Sequence, residues 1–164
     1  MPLKAWETMS ATMDLCFKES IRMWVAFPMG RRNDSKEDIK IPGTSEIIPA
    51  GALAAYNTID VHYSDKLYPQ PHMWDLARHA EGRREYEKES HGYMGWGGGN
   101  HACNGMRFAK IGQNILMSYA LAMYSWSGVH KDGTPDTNFV APSIVANEVG
   151  LGLPLKALLK AVPR

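Results

Sequence analysis

Met9, Met13, Cys16, Phe17, Ser20 and Trp24 recur at three- and four-residue spacing, which predicts a helix over Met9–Trp24, stopped by Pro28 and Gly30. Ile39-Lys40-Ile41 and Glu46-Ile47-Ile48 read as short strands around a turn at Pro42-Gly43-Thr44. A second turn at Pro49-Ala50-Gly51 leads into Ala52–Val61, which reads as buried. From Tyr68 to Gly99 prolines, glycines and charges break any period, and a loop of that length is usually functional or disordered. The longest predicted helix is Met106–Trp126, with Phe108, Ile111, Ile115, Tyr119 and Met123 in one stripe, Arg107, Lys110, Gln113 and Asn114 largely off it, and Gly128 as its end. After Pro135, Pro142 and Pro154, the segment Leu155–Val162 reads as a last strand or a helical turn. No internal repeat is present.

Length and composition narrow the class. The chain has 164 residues, 45% of them hydrophobic and 21% charged, which suits one modest domain with its own core rather than a disordered chain. A net charge of +1 gives no footprint for nucleic acid or an anionic membrane. Cys16 and Cys103 do not make a disulfide framework and fit a reducing compartment. Met1–Leu15 holds Lys4, Glu7 and Asp14 and no apolar run, so no signal peptide is expected. No stretch reaches the roughly 18 apolar residues of a membrane span. The nearest, Ile115–Trp126, is short and carries Ser118 and Ser125.

The candidate chemistry lies at Trp96-Gly97-Gly98-Gly99-Asn100-His101-Ala102-Cys103-Asn104-Gly105. Glycines lack Cβ and tolerate positive φ, so backbone here can come close to a large flat ligand. A cysteine leading into a helix has its thiolate favoured by free N–H groups and the helix dipole. Gly105 leaves room where the helix passes. The plainer reading is a glycine-rich turn before a small, inert cysteine. A zinc site on His101 and Cys103 lacks the usual paired spacing, and no Gly-Lys-Ser/Thr follows to make a phosphate loop.

The stretch follows the pattern F-x-x-G-x-[R/H]-x-C-x-G with Trp96 in place of Phe, and so resembles the haem-binding loop of the cytochrome P-450 family, the haem-thiolate monooxygenases. Two upstream segments add to the resemblance. Glu19-Ser20-Ile21-Arg22 is similar to the family's E-x-x-R signature. Trp74-Asp75-Leu76-Ala77-Arg78 is similar to its F-D-P-E-R segment, with Leu76, Ala77 and His79 as departures. Taken alone, Glu19 and Arg22 would be a solvated pair at i, i+3 worth about 0.2–0.5 kcal/mol.

The resemblance implies a mainly α fold with small β-sheets, the C-terminal, haem-binding part of the cytochrome P-450 fold over residues 1–164. It implies haem b as cofactor, Cys103 as axial iron ligand and catalytic residue, and cofactor contacts from His101, Arg32, Trp96, Gly97 and Gly105. Arg31 is adjacent to Arg32, and the choice between them stays open. Glu19, Arg22 and Arg78 would form a buried ion-pair network. The implied activity is oxygen insertion into an apolar small molecule, with electrons from NADPH through a reductase. Wording such as Gly105-Met106-Arg107-Phe108-Ala109-Lys110 is most like fungal members and points to secondary metabolism. Full-length eukaryotic members are anchored to the endoplasmic reticulum and work on its cytoplasmic side; no anchor is expected here. They also carry a central helix over the distal haem face and most of the substrate pocket. This chain is therefore expected to be truncated, with Val25–Gly30 and the region after Trp126 as its pocket-lining segments. Ala102, Asn104 and Gly112 depart from the family pattern. A non-catalytic haem-binding or inert remnant is the alternative.

Overall fold

The computed structural model describes residues 2–25, 28–137 and 158–164. Helix α1 (Leu3–Glu7) precedes α2 (Ala11–Trp24), whose first turn is capped by the Ser10 hydroxyl accepting from the Met13 N–H at 3.1 Å. The chain then runs through β1 (Pro28–Arg32), β2 (Ile39–Lys40), β3 (Ile47–Ile48), β4 (Leu53–Asn57) and α3 (Thr58–His62). Short 3-10 turns at Leu76–His79, Glu85–Glu87 and Gly99–His101 lead into α4 (Met106–Met123), β5 (Tyr124–Val129) and β6 (Leu158–Pro163). The strands pair antiparallel as β1 with β4, β2 with β3 and β5 with β6, so the chain is mainly helical with small sheets.

Three differences from the sequence reading have physical causes. The long helix ends at Met123, where the chain turns extended so that Tyr124–Val129 can pair with Leu158–Pro163; Gly128 sits inside that strand, opposite Leu159. Ala52–Val61 is not a buried run, because β4 is an edge-exposed strand with Leu53 at 68% exposure; only Thr58, at the start of α3, is buried there. On α4, Phe108, Tyr119 and Met123 are exposed and Asn114 is the buried residue. Asn114 donates to the Trp6 carbonyl at 2.8 Å, and the Trp6 and Tyr119 rings stack 6.4 Å apart, so α1 packs on α4 between Asn114, off the stripe, and Tyr119, on it. The last segment is strand from Leu158; Pro142, Pro154 and Leu155 lie outside the described residues.

The core is unusual in composition. Among the described residues the buried hydrophobic side chains are Ile21, Met23, Leu67 and Tyr68, while Glu19, Arg22, His62, Arg78, His79 and Glu85 are equally withdrawn from water. On α2 the deepest positions are Glu19, Ile21, Arg22 and Met23; Cys16, Phe17, Ser20 and Trp24 are only half-buried.

A buried ionic cluster and the cavity beside it

Glu19 is the hub. Arg22, one turn later on α2, grips its carboxylate with two parallel bonds, Nε to Oε2 and Nη2 to Oε1, each 2.8 Å. The same guanidinium donates to the carbonyls of His62 at 2.6 Å and Pro71 at 2.8 Å, tying α2 to α3 and to the irregular segment. The Asp75 N–H and His79 Nε2 reach Glu19 at 3.1 and 2.9 Å. Arg78 stands further off: its Nε is 3.4 Å from Glu19 Oε1, an ion contact without a hydrogen bond. It bonds instead to Glu85 at 3.0 Å and to the carbonyls of Pro69, Gln70 and Met73. Burial pushes the Glu19 carboxyl up, but bonds from Arg22 and His79 and the charge on Arg22 outweigh it and hold its pKa at about 2.

This cluster shapes the wall of a cavity. Glu19 and Arg22 fix α2, and Phe17, Ile21 and Val25 of α2 line a cavity of about 540 Å³. Met29 and Arg31 of β1 line it from a second side, and Gly95, Trp96, Gly97, His101 and Cys103 from a third. Trp96 meets Phe17 edge-on at 5.6 Å. Gly97 and Gly99 take φ of +74° and +65°, the left-handed region that favours glycine. The loop is tied back on itself by the Cys103 N–H donating to the Trp96 carbonyl at 2.7 Å. Cys103 precedes the Gly105 N-cap of α4, and its carbonyl accepts from Met106 N–H at 3.3 Å.

Of the residues singled out in the sequence, Cys103, His101, Trp96 and Gly97 meet at this cavity, and Glu19, Arg22 and Arg78 meet behind it. The two arginines of β1 separate. Neighbouring strand residues face opposite sides; both side chains are exposed, but Arg31 lines the cavity whereas Arg32 pairs with Asp34 at 3.5 Å. Of the two arginines left open by the sequence, Arg31 is the one among the lining residues. Gly105 is not a tight spot: a Cβ there would meet only Cys103 Sγ, at 3.8 Å. Val25 and Met29 line the cavity as expected of their segment, whose residues 26 and 27 lie outside the described set; no described residue after Trp126 lines it.

Four participants were not legible beforehand. His79 and Glu85 complete the ionic cluster. His62 accepts the Met94 N–H at Nε2, 3.0 Å away, and so holds the start of the glycine-rich loop. Burial, then the nearby Arg22 charge, push the His62 pKa down to about 4. At Gly95 an added Cβ would overlap Ile21 Cγ2 and lie 2.6 Å from the Tyr93 hydroxyl. In sequence Gly95 stands out only within the fungal-like block Gly95-Trp96-Gly97, which assigns it no packing role.

A family model described as Cytochrome P450 matches residues 8–153. The chain belongs to the cytochrome P450 family. It is 62% identical over its whole length to a cytochrome P450 monooxygenase of Pseudocercospora fijiensis, of which it covers 33%. Against cytochrome P450 monooxygenase AacuE of Aspergillus aculeatus it is 51% identical, again over its whole length and 32% of the relative. The chain therefore spans about a third of the length of these fungal P450 relatives. Among solved structures it superposes on retinoic acid bound cyanobacterial CYP120A1 with a TM-score of 0.62, at 20% identity, over 73% of this chain and 27% of that one, a likeness of fold. No described helix is long and apolar enough to cross a membrane.

Proposed function

We propose that this chain carries the haem-thiolate site of a cytochrome P450 monooxygenase, with Cys103 as the protein ligand to the iron of haem b. The observation that carries the reading is the convergence of Cys103, His101 and Arg31 on one apolar-walled cavity. The residues fit the group. A haem needs few ligands from the protein because the macrocycle supplies four, and a single cysteine suffices. No group of three or more His, Cys, Asp or Glu among the described residues could hold a free ion, which weighs against zinc on His101 and Cys103.

When bound, a thiolate-ligated haem supplies oxygen activation, the sulfur pushing electron density toward the iron. The chain's own part is positioning and shielding. Phe17, Ile21, Val25, Met29 and Trp96 give the macrocycle apolar contact and exclude water. Arg31 and His101 present cationic or hydrogen-bonding groups to its carboxylates. The loop bond from Cys103 N–H to Trp96 fixes the backbone that carries the sulfur. The substrate class we assign is an apolar small molecule of fungal secondary metabolism, the electron donor an NADPH-dependent reductase, and the setting the cytoplasmic side of the endoplasmic reticulum.

The alternative, a haem-binding or inert remnant without oxygen chemistry, is favoured by one observation, the uncovered apolar face of α4, where Phe108 is 84% exposed. One spectrum tests the site. The haem-loaded, reduced, carbon-monoxide-bound chain is expected to give a strongly red-shifted Soret band that Cys103→Ala abolishes. The same band in both proteins, or none in either, removes Cys103 as ligand.

A further inference from the structure

The Glu19 carboxylate has a partner that is neither of the expected arginines. His79 Nε2 lies 2.9 Å from Oε2, with both side chains fully buried. Arg78, the arginine expected there, makes no hydrogen bond to Glu19 and spends its donors on Glu85 and three loop carbonyls. We propose that His79 is a positioning residue: as an Nε2–H donor it holds Glu19, and through Glu19 it holds the α2 wall against the cysteine loop.

Three observations support this. The oxygen that His79 reaches, Oε2, is also the acceptor for Arg22 Nε, so a carboxylate there is doubly held and the imidazole must donate. Nδ1 of His79 is buried without a partner, which suits a bare lone pair better than an N–H and so selects the Nε2–H tautomer. The imidazole also sits edge-on to Tyr93 at 5.9 Å, and Tyr93 donates to the Lys18 carbonyl on α2 while standing two residues before Gly95. His79 therefore touches both walls that meet at the cavity. The charged and titratable groups on the elements around it are Glu19 and Arg22 of α2, Arg78 beside it, Glu85 and Tyr86 of the next turn, Tyr93 and His62. His79 is one of the positions where the sequence departs from the family's segment, so the pattern itself does not announce the role.

The test is acid unfolding of the full chain, followed by circular dichroism from about pH 7 to pH 3. Glu19 with one donor fewer binds its proton more readily, so His79→Leu is expected to move the acid transition up by about one pH unit. His79→Gln, whose carboxamide N–H can donate to the same oxygen, is expected to restore most of that shift. In a Glu19→Gln background, His79→Leu should produce no shift of its own. A Leu variant that fails to fold at neutral pH while the Gln variant folds is the same rescue and supports the proposal. An unmoved transition in His79→Leu, equal shifts in Leu and Gln variants, or failure of both to fold would overturn it, because the ring would then be needed only for packing on Tyr86 and Tyr93. The measurement needs no haem, so it stands or falls separately from the assignment of Cys103.

Discussion

Around Glu19 the charged side chains of Arg22, Arg78 and Glu85 are drawn out of water, each at 5% exposure or less, whereas on α4 and its strands Phe108 is 84%, Leu116 65%, Tyr119 57% and Trp126 46% exposed. The contrast teaches what each region needs. The ionic cluster draws its partners from within this chain: Glu19 and Glu85 offset Arg22 and Arg78, and carbonyls of His62, Pro69, Gln70, Pro71 and Met73 take further guanidinium donors, while Arg78 Nε has only its ion contact with Glu19. Such a cluster gains little over an apolar core, but it is costly to open. Helix α4 is the reverse case. Its apolar side chains have ordinary hydrophobic value but lie uncovered, and rows of exposed apolar groups mark surfaces built for contact. The fungal relatives are about three times as long as this chain.

The comparison breaks if removing a charge from the first region costs no more than removing a ring from the second. Glu19→Ala strands Arg22 and His79 in the interior and is expected to cost about 3–5 kcal/mol. Phe108→Ser removes an exposed ring and should fall within about 0.5 kcal/mol. Urea unfolding of the two variants decides it, and equal losses would mean that the cluster is not what holds this end of the chain together.

Acid sharpens the same contrast, because the titrating groups with large shifts lie in the first region. His62 has a folded pKa of about 4, below its ordinary 6.5. The unfolded chain binds more protons between those values, so stability should fall as pH drops from 6.5 to 4, by on the order of 3 kcal/mol. Glu19, held at about 2 against an ordinary 4.5, adds a second loss of the same order as pH falls through that lower window. Protonated His62 can no longer accept the Met94 N–H, so the first step should loosen the glycine-rich loop before the rest unfolds. The part of the tryptophan fluorescence that Trp96→Phe removes, out of five tryptophans, is expected to change ahead of the circular dichroism signal. His62→Gln should flatten the upper window and leave the lower one.

How much of this was readable in the chain depends on how local the signal is. Cys103, Trp96 and Glu19-x-x-Arg22 sit in short fixed spacings, and their meeting at one place follows from the family's fold. Arg31 against Arg32 could not be decided, because the choice depends on which face of β1 turns toward α2, and that is set by pairing with β4. His79 and His62 gave no periodic signal; each is a lone histidine at the end of an element of five residues or fewer, and its partner is 60 residues away for His79 and 32 for His62. The α4 stripe followed a real period, yet Phe108, Tyr119 and Met123 in it are exposed and only Ile111 and Ile115 are half-buried, since periodicity shows a face and not what covers it.

Effects smaller than those at Glu19 and His62 come from two glycines, one in each region. At Gly95 a Cβ would run into Ile21 and lie 2.6 Å from the Tyr93 hydroxyl, in the wall between α2 and the cysteine loop. Gly95→Ala should therefore destabilise by about 1–3 kcal/mol, as overpacking does. At Gly112, inside α4, a Cβ meets nothing within 4 Å and the backbone is helical. Gly112→Ala should stabilise by about 1 kcal/mol, because alanine loses less backbone freedom on entering a helix. The opposite signs follow from where the neighbours are: close-packed around the cluster, absent on the open helix. Paired urea melts read both. A loss at Gly112 would mean that α4 is already covered on that side by contacts this chain makes with itself or another copy, and the contrast between the two regions would then be one of composition rather than of packing.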